Sequence, residues 1–371
     1  MLNKPQVMFP TKPEEYAAHP VPSLAEWRAL WKAWDCVTRQ MIPDEELGSK
    51  PIKLRNACIF YLGHIPTFLD MKITEGTKGK PTEPSYYYNI FERGIDPDVD
   101  NPEDCHAHSE IPDTWPPLSE MLAFQERVRE RVTGFYTTGQ AYNDAWTGRV
   151  LWLGLEHEAM HLETLLYMLV QSEKTIPPVG TTKPDFEELA KQARLGATEN
   201  DWFDIPEQSF REGIDDPDTA EGPLRHFGWD CEKPPRKLQV PAFKAKGRPI
   251  TNGEYAQYLR ATKSEKLPAS WYQPEAMNGV NGQANGVNGT TELEDYLHGK
   301  AVRTVYGPVP LKYALEWPVS ASYDELSGCA QYFGGRIPTF EETRSIYFYA
   351  DSLKKKEAAK ALGKTIPAVN G

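Results

Sequence analysis

The chain has 371 residues, 40% of them strongly hydrophobic and 25% charged, and 41 basic against 53 acidic side chains leave a net charge of −12. Such a composition supports folded domains and excludes disorder throughout, and at about 150 residues per domain the length suggests two. The acidic sum and the lack of a long Lys/Arg block exclude a sequence-independent grip on phosphate backbones, so no nucleic-acid partner is expected.

Residues 1–22 read as an N-terminal extension without an apolar segment of the kind that directs export. From Ser23 the pattern turns helical. Ser23 and Glu26 fit a capping box, and Leu24, Trp27, Leu30, Trp31, Trp34 and Met41 recur at three- and four-residue steps toward Pro43. A second helix is expected over about Lys53 to Phe68, with Leu54, Ala57, Cys58, Tyr61 and His64 on one stripe and a kink or end at Pro66. A third follows Pro116 and Pro117 through Leu118, Met121, Leu122, Gln125, Val128 and Val132, and a fourth, the most apolar, spans about Tyr142 to Val170. These four segments predict an all-α four-helix bundle over residues 23–175. Its long crossover, Lys72 to Pro117, is expected to pack over one end.

Prolines from Ile176 to Phe186 break the helical pattern and open a linker placed at 176–200. Beyond it, residues 201–371 change to an irregular α+β pattern. Short β-like runs are expected at Lys237 to Val240 and Ala242 to Lys246, with helical pieces near Asn252 to Ala261 and Tyr323 to Phe333. The Asn-Gly repeats of Met277 to Thr290 read as a surface insert, and the tail after Asp351 as a charged helix followed by coil. With no apolar strand to close it, this second domain reads as incomplete. No run of about 18 apolar residues occurs, so no membrane span is expected, and five cysteines without a C-x-x-C pair suit a reducing compartment, the cytoplasm by default.

The sharpest chemical signal lies in the fourth helix, His157-Glu158-Ala159-Met160-His161-Leu162-Glu163. Residues four apart share a helix face, so both imidazoles can reach one metal ion. A third ligand must come from elsewhere. His64 is the candidate, because it lies on the core stripe of helix two, beside Gly63, which admits a neighbouring backbone. His106 and His108 in the crossover are alternatives. Glu163, about 200° around the helix from His161, is read as an outer partner that orients an incoming imidazole. The same letters also satisfy the His-Glu-x-x-His signature of zinc hydrolases, with Glu158 as general base.

Leu62-Gly63-His64, the run from His157 to Glu163 and the bundle spacing together resemble the DinB-like domain of the iron-dependent sulfoxide synthases of ergothioneine biosynthesis. The second part is similar to the formylglycine-generating-enzyme/sulfatase-modifying-factor (FGE-sulfatase) domain, of C-type-lectin-like fold. The segments that carry this likeness are Phe227-Gly-Trp-Asp-Cys-Glu232, Pro249-Ile-Thr-Asn-Gly-Glu-Tyr255, Pro318-Val319 and Gly335-Arg-Ile-Pro-Thr339 with Glu341. The likeness, of fungal type, implies Fe(II) held by His64, His157 and His161, with O2 as co-substrate. It further implies a reaction joining the sulfur of cysteine, or γ-glutamylcysteine, to C2 of hercynine as a sulfoxide. Fungal members commonly carry a methyltransferase domain ahead of these modules, and none is read here. The catalytic tyrosine of the family belongs to a C-terminal half that this sequence is read as lacking, so a truncated, inactive metal-binding remnant is the competing expectation. Cys231 stands where relatives commonly have Asn, and Met160 where some have Gln.

Overall fold

The computed structural model describes residues 19–52, 55–92, 95–97, 105–107, 112–216, 219, 227–273 and 292–361. Chain contacts divide it into two units, one of residues 17–182 with 214–234 and the other built from 183–213 and 235–371. His108 and the Asn-Gly insert lie outside the described residues.

Four long helices form the first unit: α1 (Leu24–Gln40), α2 (Cys58–Thr77), α4 (Leu118–Thr137) and α6 (Ala145–Leu169). Short α3 (Tyr87–Phe91) and α5 (Gln140–Asn143) interrupt the connections. The expected capping box starts α1, where the Ser23 N–H donates to Glu26 at 2.6 Å and the Glu26 N–H to the Ser23 hydroxyl at 3.2 Å. Trp27, Trp31 and Trp34 then bury one stripe of that helix.

Helix α2 does not end at Pro66. It runs eleven residues further, to Thr77. Proline removes one backbone donor and costs an isolated helix about 3 kcal/mol, but here tertiary burial outweighs propensity. Phe60, Leu62, Ile65, Leu69 and Ile73 are each at most 3% exposed. Its partner α6 approaches closely because Gly154 has no side chain, and a Cβ there would stand 2.4 Å from a Leu69 methyl.

The described part of the crossover packs beside the middle of α2, not over an end of the bundle. Asp70, fully buried on α2, accepts from the Thr82 backbone N–H (2.8 Å), the Thr82 hydroxyl (2.6 Å), Tyr88 (2.7 Å) and Arg131 of α4 (2.6 Å). This holds the start of the crossover, so that Tyr87, Ile90 and Phe91 of α3 sink into the core. Further on, β1 (Ile95–Pro97) and β2 (Cys105–Ala107) pair antiparallel.

Residues 214–234 join this unit as a strap from a distant part of the sequence. They connect β4 (Gln208–Glu212) to β5 (Arg236–Val240), which pair antiparallel in the second unit.

The second unit is a set of small sheets and helices. Strand β3 (Trp202–Ile205) pairs with β6 (Phe243–Lys246), and β7 (Trp271–Tyr272), β8 (Ala301–Thr304) and β9 (Gly307–Pro310) form a three-stranded antiparallel sheet. Around them lie α7 (Phe186–Leu195), α8 (Asn252–Ala261), α9 (Glu292–Leu297), α10 (Tyr323–Tyr332) and α11 (Phe340–Ala361). Tyr255, Leu259, Trp271, Leu311 and Cys329 make its apolar core. The expected linker 176–200 contains α7, whose Phe186 packs against Tyr306 and Trp317, so most of it belongs to this folded unit. The helix expected in the tail begins earlier, at Phe340.

Candidate metal centre

His64 comes from α2, and His157 and His161 come from successive turns of α6. The close seam at Gly154 brings the rings together. Their centroids lie 5.1 Å (His64 to His157), 4.9 Å (His64 to His161) and 4.5 Å (His157 to His161) apart. One nitrogen from each lies within 4.8 Å of the others, a separation that a single ion can bridge. His106 lies on β2, and its side chain is not described.

A second glycine sets the orientation of His64. The Phe91 ring occupies the space beside Gly63, where a Cβ would lie 2.3 Å from it, so the close neighbour of this glycine is an aromatic ring and not the backbone expected there. With the ring seated there, the Phe91 carbonyl accepts a hydrogen bond from His64 Nδ1 at 2.7 Å. That contact fixes the proton on Nδ1 and leaves Nε2 as the metal-binding nitrogen. Glu163, expected in this orienting role, is exposed instead, and a backbone carbonyl does the work.

Burial keeps the trio neutral. It lowers His64 to about 4 and His161 to about 3, and His157 well below the usual imidazole range, with the facing rings adding to the effect for the α6 pair. Neutral imidazole is the ligating form. His161 Nδ1 is buried without a hydrogen-bond partner, an unsatisfied atom of a kind that a bound ion relieves. The donor set therefore fits a divalent first-row metal.

Below pH 6.5 the unfolded chain takes up protons that these rings refuse, so each ring alone makes the metal-free fold lose stability as the pH falls from about 6.5 toward 4. Two carboxyls act in the opposite direction. Burial raises Glu156 to about 7 and Glu158 to about 8, and each favours the fold as the pH falls toward 4.5. The rings themselves are the cleaner readout. In proton NMR of the metal-free chain, the three imidazoles are expected to show no titration between pH 8 and 5, and titration of any of them near 6.5 would contradict the burial argument.

Glu158, the general base of the hydrolase reading, is 3% exposed and has Arg129 of α4 and Asp35 of α1 as its electrostatic neighbours. Aromatic side chains surround the trio instead: Phe60 stacks on His64 at 5.1 Å, and Phe68 on His157 at 3.8 Å. Further along the same seam, Lys72, Gly76, Trp146, Val150, Leu153 and Phe227 line a cavity of about 340 Å³.

Sequence reasoning missed the strap and its anchors on α6. Asp216 makes a buried two-point ion pair with Arg149, and the Trp229 indole N–H donates to Glu156 at 2.6 Å, directly beside His157. The signal for it in the sequence is Phe227-Gly-Trp-Asp-Cys-Glu232, which resemblance places in the second domain.

Residues 23–165 match the DinB superfamily. Ergothioneine biosynthesis protein 1 of Neurospora crassa is 58% identical across 100% of this chain, a match covering 43% of that protein. The protein of the same name from Schizosaccharomyces pombe is 34% identical over 88% of this chain and 42% of its own length. The chain thus spans roughly two-fifths of these curated relatives. Its N-terminal bundle is a DinB-superfamily domain, and the chain as a whole is a homologue of one part of the ergothioneine biosynthesis protein 1 sequences.

Proposed function

We propose that this chain carries the metal centre of a non-haem Fe(II)- and O2-dependent sulfoxide synthase. The reaction joins the sulfur of cysteine, or γ-glutamylcysteine, to C2 of hercynine on the route to ergothioneine. One observation carries the proposal: three neutral imidazoles, from two helices, have ligating atoms within 4.8 Å of one another. The names of the two relatives supply the pathway. Resemblance supplies the reaction, together with the reading of residues 201–371 as part of an FGE-sulfatase-like module.

Bound there, Fe(II) would supply a redox-active Lewis acid with open positions for an anionic thiolate and O2. The chain's own contribution is to hold and shield. Uncharged imidazoles leave the double positive charge of the ion uncompensated, which favours an anionic partner. The Phe91 carbonyl fixes the His64 ring, Phe60 covers that same ring, and Phe68 covers His157. In the overall balance one S–H and one C–H bond are broken, a C–S and an S–O bond form, and one O2 accepts four electrons and leaves one water.

No described helix is long and apolar enough to cross a membrane, and small-molecule substrates are what a biosynthetic role requires. The hydrolase reading loses support because Glu158 is buried among Asp35 and Arg129. To test the synthase reading, the chain is loaded with Fe(II) without oxygen and then given hercynine, cysteine and air. Mass spectrometry is expected to find the hercynyl-cysteine sulfoxide, absent when iron is omitted. An iron-loaded chain that yields no adduct and takes up no more O2 than a hercynine-free control would overturn the reading and favour an inactive metal-binding protein.

A further inference from the structure

His64 is aimed by a hydrogen bond from its own ring, but no such bond to the ring of His157 or His161 is found among the described residues. The direction of those two rings therefore rests on packing and on the rotational phase of α6. Bundle packing through Leu151, Gly154, Glu158 and Leu165 holds one side of α6, and a segment from outside the bundle sequence holds another. Arg149 and Glu156 lie seven residues apart, two turns along one face of α6, and each is held by the strap.

At the first point the Asp216 carboxylate, completely buried, meets both terminal nitrogens of Arg149 and is joined by the Gly228 N–H at 3.0 Å and Lys233 at 3.7 Å. The Phe227 ring lies 5.6 Å from both the Arg149 guanidinium and the Lys233 ammonium. At the second point Trp229 packs edge-on against Phe227 at 4.9 Å and donates its indole N–H to Glu156. The strap closes on itself through the Ile214 N–H, which donates to the Glu232 carbonyl at 2.8 Å. Its described ends, 214–216 and 227–234, are thus joined to each other and fastened at two places to one helix, the second adjacent to His157.

We infer that residues 214–216 and 227–234 act as a strap that helps to set the phase of α6, with Trp229 and Asp216 as positioning residues for His157 and His161. This inference rests on the metal-site reading only in what the positioned rings hold. Once α6 loses its second fastening, the turn bearing the two histidines is held by bundle packing alone, and its rings meet His64, held separately, less closely at a common point.

The test uses the full chain and three variants. Trp229→Phe keeps the ring packing and removes the donor, Asp216→Asn weakens the first fastening, and Glu156→Gln keeps an acceptor for the indole. In the metal-free chain, hydrogen exchange of residues 153–161 is expected to rise in Trp229→Phe and Asp216→Asn and to stay at the parent level in Glu156→Gln. With Co(II) as probe, Trp229→Phe, which acts one residue removed from a ligand, is expected to bind more weakly by up to about 10-fold, the least that loss of a direct outer partner costs, with an altered d–d spectrum. Glu156→Gln should bind within about 2-fold of the parent.

Exchange and Co(II) affinity in Trp229→Phe that both equal the parent values would overturn the strap. A parent chain that binds no Co(II) would instead overturn the metal site, while the exchange result still judges the strap. A loss of thermal stability in Trp229→Phe without any change in exchange at 153–161 or in the Co(II) spectrum would mark the contact as merely structural and also overturn the inference.

Discussion

Replacing His157 or His161 with Ala is expected to weaken binding of a divalent ion by more than about 100-fold, while the bundle remains folded. Loss of an outer partner alone costs about 10–100-fold, and these changes remove a donor atom itself. Neither ring is fully buried, and neither is held by a hydrogen bond that its removal would leave broken. His64→Ala is expected to abolish binding as well, but at an added cost in stability of about 1–3 kcal/mol. It opens space in the core and leaves the Phe91 carbonyl without its donor. Glu163→Ala should change affinity by less than about 2-fold, because that side chain is exposed. Metal competition titrations beside thermal melts of each variant separate the two effects. A metal affinity unchanged in His161→Ala would remove the trio from consideration.

Gly63→Ala is expected to damage fold and site together. Its methyl would lie 2.3 to 2.5 Å from atoms of the Phe91 ring, well inside any contact the ring can tolerate. The ring has little room to retreat, since it is fully buried, stacks on Trp115 at 5.5 Å and meets Tyr87 edge-on at 5.2 Å. Overpacking of this kind costs about 1–3 kcal/mol, and a unit of this size loses roughly 2–4 °C of Tm for each kcal/mol. Displacing Phe91 also withdraws the carbonyl that aims His64, so Co(II) affinity should fall by about 10-fold even where the chain is still folded. Pairing Gly63→Ala with Phe91→Leu makes room for the methyl while keeping the main-chain carbonyl, and should restore part of both losses. Affinity that stays at the parent level in Gly63→Ala would show that the Phe91 bond does not govern the ring.

The bundle was legible because helical periodicity is a local signal. Trp27, Trp31 and Trp34 announce α1, and the four-residue spacing of His157 and His161 needs no tertiary knowledge to place both rings on one face. The angular argument for Glu163 concerns direction around one helix and carries no information on burial, and the structure has this side chain exposed. Of the kink or end expected at Pro66, the end does not occur, since propensity says little about a helix buried on nearly every side.

What was hidden acts across long separations without periodicity. The Phe91 carbonyl is 27 residues from His64, and Asp216 is 67 from Arg149. Both lie in segments whose prolines, glycines and charges read only as loop. In the second unit the helices Asn252–Ala261 and Tyr323–Tyr332 carry capping boxes and were found. Of its short strands, β5 and β6 match the β-like runs expected at Lys237 to Val240 and Ala242 to Lys246, whereas two- to four-residue strands such as β7 and β9 are too short to show a period.

X-ray absorption at the iron edge of the full chain, loaded with one equivalent of Fe(II) without oxygen, tests most directly whether two distant stretches share one ion. Scattering from three imidazoles, at nitrogen distances of about 2.0–2.2 Å, is expected, falling to two in His64→Ala. A parent spectrum with two imidazoles or fewer, unchanged by His64→Ala, would contradict it.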